Sequence, residues 1–132
     1  MEYRVEARRV DAQGALAMAK DAQVVLGTDL AGRRDAFNPV ELLLAALAAC
    51  MIKGVERVTP MLRFQVEGVR VSLQAQRQDA PPKLLRIDYE IVVESDEPDA
   101  RLALLHRNIL KYGTISNTLA GALVLEGSLR RA

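Results

Sequence analysis

Asn38-Pro39-Val40-Glu41-Leu42-Leu43-Leu44-Ala45-Ala46-Leu47-Ala48-Ala49-Cys50-Met51-Ile52 is the stretch whose reading decides the fold of this chain. It opens with clear helix punctuation. Asn38 suits an N-cap, Pro39 suits the first helical position, and Glu41 stands at the third, from where a carboxylate reaches back to the cap amide. The spacing predicts a helix that runs to about Val58 and stops before Thr59-Pro60. Twenty residues of helix measure roughly 30 Å. Residues 42–52 are apolar on every side, so this helix is expected to be buried on most faces rather than amphipathic. One layer of strands from so short a chain cannot cover it, and a second copy of the chain is the expected cover.

Working outward, residues 2–10 alternate with Tyr3, Val5 and Ala7 on one side, a strand signal of period two. Asp11-Ala12-Gln13-Gly14 is a turn, and residues 15–20 and 23–26 continue as short strands, giving an antiparallel meander. Residues 27–37 show no periodicity and read as a loop. Beyond Pro60, residues 63–78 alternate again through Phe64, Val66, Val69, Val71, Leu73 and Ala75, with Gly68 shifting the phase as a bulge does. Asp79-Ala80-Pro81-Pro82 connects to a strand over 85–93. A helix follows over 98–111, with Leu102, Leu105, Ile109 and Leu110 inward and Gly113 closing it. A short helix from Thr114 or Ser116 to about Ala120 and a strand over 123–130 complete the order β-β-β-α-β-β-α-α-β. The fold class is α+β, in a single domain over 1–132.

The composition excludes several roles. With 18 Lys and Arg against 17 Asp and Glu, the chain has no electrostatic footprint for nucleic acid, and 4% aromatics leave no base-stacking surface. The longest apolar run is too short to cross a bilayer, and Met1-Glu2-Tyr3-Arg4 has no apolar leader, so neither a membrane nor secretion is expected. One cysteine allows no intramolecular disulfide and no cysteine-based zinc site. A cytoplasmic protein with a reduced thiol is the expectation. No phosphate loop or catalytic-triad motif occurs, and no cofactor or metal is called for.

Residue by residue, the ordinary explanations are strong. A cysteine within an apolar helix is by default a small core hydrophobe. Cys50 lies about three turns from the helix start, too far for the dipole to activate it, so a reactive Cys50 needs a cation from elsewhere. Arg33 and Arg34 are the nearest in sequence, with Arg8 and Arg9 as outsiders. An Arg-Arg pair on a loop is otherwise a solvated surface. Asn38 and Glu41 are explained by capping, and Ser116 and Asn117 by a cap and a turn. His106, without a second ligand at metal spacing, reads as a partly buried, hydrogen-bonded histidine.

The segment 38–50, together with Lys111-Tyr112-Gly113-Thr114-Ile115-Ser116-Asn117-Thr118-Leu119, resembles the two signature segments of the OsmC-like family, which includes the organic hydroperoxide resistance proteins. The resemblance implies an OsmC-like fold, with antiparallel sheets around a long buried central helix, and an intertwined homodimer with two equivalent interface sites. It implies that Cys50 matches the cysteine that attacks the peroxide as a thiolate. Gly113 stands where the family has its resolving cysteine, and Thr114 where a proline often follows. The family's arginine comes from the N-terminal loop, which points to Arg33 or Arg34. Its partner glutamate directly follows Asn-Pro, a position held here by Val40. Glu41 is one residue on, about 100° around the helix, and takes that role only in a shifted geometry. Leu26-Gly27-Thr28-Asp29-Leu30 resembles the broader OsmC-like branch.

Two functions of different class follow. One is a thiol-dependent hydroperoxide reductase in which Cys50 is oxidised and an external thiol resolves it, with Arg33, Arg34 and Glu41 as its candidate partners. The alternative is a non-catalytic protein whose interface pocket, lined by Leu43, Leu47, Met51, Ser116 and Asn117, binds a small apolar ligand. An arginine within reach of Cys50 favours the first reading.

Overall fold

Three strands at the start of the chain, β1 (Glu6–Asp11), β2 (Gly14–Ala19) and β3 (Ala22–Gly27), pair in that order as an antiparallel meander. Helix α1 (Pro39–Leu62) follows, then the hairpin β4 (Gly68–Asp79) and β5 (Pro82–Glu94), helices α2 (Asp99–Tyr112) and α3 (Thr114–Ala120), and strand β6 (Val124–Arg131). This computed structural model describes residues 1–132. The chain divides into two compact units, Met1–Leu43 and Leu44–Ala132.

In the first unit, β2 is the central strand and Gly14 pairs with Gly27 across the sheet. The strand signal at 2–5 comes to nothing, because pairing with β2 begins only at Glu6. The loop over 28–37 returns alongside β3, where the Gly27 amide donates to the Phe37 carbonyl at 2.8 Å.

In the second unit, β5 is the middle of the sheet β4-β5-β6. Its alternation points Ile87, Tyr89, Ile91 and Val93 inward, all buried. They meet Leu47, Met51, Val55 and Val58 of α1 and Leu102, Leu105 and Ile109 of α2 in one core. Each such aliphatic side chain contributes about 1.5–3 kcal/mol by leaving water. Truncating Leu105, which is fully buried, to Ala therefore costs about 2–5 kcal/mol. The opposite face of this sheet carries ion pairs, Arg86 to Asp88 and Glu126, and Arg130 to Glu90.

Three expectations need correction. Strand β6 lies parallel to β5, so this sheet is mixed rather than antiparallel. The chain leaves β5 and returns through two helices, and a crossover of that kind brings a strand back in the same direction. The β4 strand starts at Gly68, and its register shift falls at Gln76/Arg77 rather than at the glycine. Helix α1 continues through Pro60 to Leu62. Pro60 sits in the last turn, and the helix then closes with Arg63 at φ 51°. There the Phe64 amide donates to the Thr59 carbonyl at 2.8 Å and the Arg63 amide to the Pro60 carbonyl at 3.4 Å, a Schellman motif. Within the chain α1 is buried along one stripe, Leu47, Met51, Gly54, Val55 and Val58, whereas the apolar Ala46, Ala49 and Ile52 are exposed, so this chain by itself does not cover the run.

Candidate functional site

Arg33 is the best-held cation of the first unit. Its Nε and Nη2 donate to the two carboxylate oxygens of Asp35 at 2.7 and 2.9 Å, and Nη1 reaches the Gln13 carbonyl at 3.5 Å. This two-point bond raises the guanidinium pKa and lowers that of the Asp35 carboxyl. The sheet leaves room for the side chain by omitting Cβ atoms. A Cβ on Gly14 would stand 2.7 Å from Arg33 Nη1, and one on Gly27 would stand 3.2 Å from Arg33 Cγ. Arg34, its neighbour, is exposed. The sequence offered both arginines equally. Its overlooked signal is the paired Gly14 and Gly27 together with a carboxylate two residues after Arg33.

Glu41 and Asn38 form a reciprocal capping box. The Asn38 amide donates to Glu41 Oε1 at 2.9 Å, and the Glu41 amide donates to Asn38 Oδ1 at 2.8 Å. The Glu41 carboxylate is thereby engaged in starting the helix.

In the second unit α1 carries Cys50 as a free, half-buried thiol. By helix geometry it lies about 60° around from Leu47 and about 40° from Gly54, on the edge of the buried stripe. Arg57 is almost in line with it, about 10 Å farther along the axis. Arg57 Nη1 donates to the Tyr112 carbonyl at 2.9 Å. One turn closer to Cys50, Gly54 packs on Ile109, whose Cγ2 lies 3.2 Å from where a Cβ would stand. Gly54 and Arg57, one and two turns beyond Cys50, thus meet the last turn of α2 just before Gly113. Sequence reasoning passed over Arg57, although its seven-residue spacing from Cys50 was visible.

Gly113 joins α2 to α3 with φ −84°, an ordinary conformation for any residue, so it does not close α2 in the left-handed manner expected. What it supplies is space. A Cβ there would meet Ser116 Oγ at 2.8 Å and the Ile109 carbonyl oxygen at 3.0 Å. Ser116, expected as an N-cap, is instead buried in the first turn and a half of α3, its hydroxyl without a partner. Asn117 Nδ2 donates to the Lys111 carbonyl at 3.2 Å and ties the same junction together.

The residues expected to wall a pocket between subunits fare differently. Leu47 and Met51 have no exposed surface and belong to the core of the chain itself, so they present nothing to a ligand at an interface. Leu43 is half-buried and Asn117 exposed. His106 is partly buried and bonded to the Tyr89 hydroxyl at 2.6 Å, as the sequence suggested. Burial lowers the His106 pKa and raises that of Tyr89. No helix is long and apolar enough to cross a membrane.

The OsmC-like protein family model matches residues 32–127. None of the curated proteins matches. Among solved structures, the chain is similar to an OsmC-like protein from Mycoplasma pneumoniae, with a TM-score of 0.87 and 18% identity over 100% of this chain and 96% of that one. A hypothetical protein from Aquifex aeolicus VF5 gives 0.85 and 19%, over 100% and 98%. An organic hydroperoxide resistance protein from Elizabethkingia anophelis gives 0.79 and 13%, over 100% and 99%. At these identities the structures speak for the fold. With the family match over most of its length, the chain belongs to the OsmC-like protein family.

Proposed function

We propose that this chain is a one-cysteine, thiol-dependent hydroperoxide reductase. The observation that carries the reading is Cys50, a half-buried free thiol within the residues matched by the family, at the position for which the resemblance of segment 38–50 implies the attacking cysteine. The Cys50 thiolate attacks the distal oxygen of an organic hydroperoxide. The O–O bond breaks, the alcohol leaves with a proton, and the sulfur, oxidised by two electrons, becomes a sulfenic acid. With Gly113 in place of a resolving cysteine, an external thiol condenses with the sulfenic acid and releases water. A second external thiol then returns Cys50 to the thiol and leaves as the oxidised disulfide. The working unit is a homodimer, supported by the exposed Ala46, Ala49 and Ile52 on the apolar run of α1. The ligand-binding alternative loses two of its three apolar wall residues, since Leu47 and Met51 are core.

The test is a single-turnover reaction of the reduced protein with cumene hydroperoxide, followed by intact mass with a sulfenic-acid trap. Oxidation of Cys50 faster than that of free cysteine is expected, with Cys50→Ser abolishing it. A Cys50 rate equal to that of free cysteine would return the residue to the role of core filler.

A further inference from the structure

The Tyr89–His106 pair takes no part in the cysteine chemistry, yet the sheet is built around it. Gly127 of β6 stands opposite Tyr89 of β5, and a Cβ on Gly127 would come within 2.5 Å of the tyrosine ring. Omitting that Cβ lets the ring lie across the glycine and carry its hydroxyl to α2. The Tyr89 hydroxyl is hydrogen-bonded to His106 Nε2 at 2.6 Å, the imidazole tautomer deciding which of the two donates.

His106 lines a groove of about 590 Å³ between α2 and β6, with Asp99, Leu102, Ala103 and the β6 residues Gly127 to Arg131. That volume suits a small ligand. Arg131 is fixed in place by donating from Nε to the Ser95 carbonyl at 3.2 Å and from Nη2 to the Glu97 carbonyl. Its charge is met by Asp99, at 3.2 Å, whose side chain is 92% exposed. An ion pair with so exposed a partner is weak and exchanges easily. Arg130 is turned to Glu90 at 3.3 Å. The groove therefore holds an anchored guanidinium, a weakly held carboxylate that another can replace, an imidazole, and an apolar side made by Leu102, Ala103 and Leu129.

The geometry points to a second small-molecule site in this groove, for a carboxylate with a short apolar tail, its carboxylate displacing Asp99 from Arg131 while the tail lies on Leu102 and Leu129 and runs toward His106. Carboxylate and guanidinium match as a planar two-point pair, which a halide does not. The site is independent of Cys50.

His106 is the sole histidine of the chain, so its imidazole resonances report on the groove without assignment ambiguity. Hexanoate added to the full-length protein at fixed pH and ionic strength is expected to shift them saturably, equally in Cys50→Ser. Hexanol and chloride are expected to leave them in place. Asp99→Asn removes the competing carboxylate and is expected to tighten hexanoate binding at least threefold, whereas Arg131→Gln is expected to weaken it at least tenfold. If Arg131→Gln does not fold, Asp99→Asn decides. Shifts that grow linearly with hexanoate, appear equally with chloride, or are untouched or weakened in Asp99→Asn would overturn the assignment.

Discussion

Gly113 and Ser116 show how much one missing Cβ decides. The relatives' second cysteine cannot be restored by adding a side chain alone, because Ser116 Oγ and the Ile109 carbonyl already occupy that volume. Gly113→Cys is expected to lower stability by about 1–3 kcal/mol in a urea titration, the cost of overpacking. Adding Ser116→Ala should recover part of it, and Ser116→Ala alone should be neutral or slightly stabilising, since it removes a buried hydroxyl that has no partner. A Gly113→Cys protein as stable as the parent would refute this packing argument. His106 sets a second residue-level expectation. Burial holds its folded pKa below the unfolded value of about 6.5, so the unfolded chain binds the proton more readily. The neutral ring favours the fold fully above pH 6.5, and that advantage is lost as the pH falls through the lower folded pKa. Tm measured across this range should fall with pH, and His106→Gln should flatten that part of the profile. Sequence named Cys50, Gly113 and His106 but not their neighbours, because a side chain's partners come from distant segments.

At the scale of elements, local signals worked where local forces rule. The Asn38–Glu41 cap was legible because both partners lie within one turn. The end of α1 was misread because a proline ordinarily terminates a helix, whereas here Pro60 sits in the last turn, where the one amide hydrogen bond it omits disturbs only the two helical residues that follow. Arg63 pays for the closure by taking the left-handed conformation at φ 51°, which costs a residue with a Cβ about 1–2 kcal/mol. Arg63→Gly should therefore raise stability by about 1 kcal/mol, read as a higher urea midpoint with an unchanged slope. A lowered midpoint would mean that the Arg63 side chain contributes more than the backbone strain removes. The alternation of β5 was equally plain from its sequence. Its mixed pairing was not, because direction is set by the crossover and not by the strand's own residues.

At the scale of the whole molecule, the apolar run 42–52 asks for more cover than its own chain provides. The buried stripe satisfies Leu47 and Met51, while Ile52 remains 39% exposed beside exposed Ala46 and Ala49. Sedimentation equilibrium should accordingly find a dimer, and Ile52→Glu should shift it toward monomer by at least tenfold in dissociation constant without unfolding it. A parent protein that sediments as a monomer at every concentration would remove the basis for an interface on this face. Taken alone, the sequence determined the α+β order of elements, the start of α1, the inner faces of β5 and α2, and the family signature around Cys50, all of which depend on near neighbours or on periodicity. Only the tertiary structure decided that Arg33 and not Arg34 is held by a carboxylate, that Ser116 fills the space over Gly113, that Arg57 ties the Cys50 edge of α1 to Tyr112, and that Tyr89 crosses Gly127 to reach His106. Each of these depends on which segments the fold brings together, and no local pattern in a chain encodes that distance.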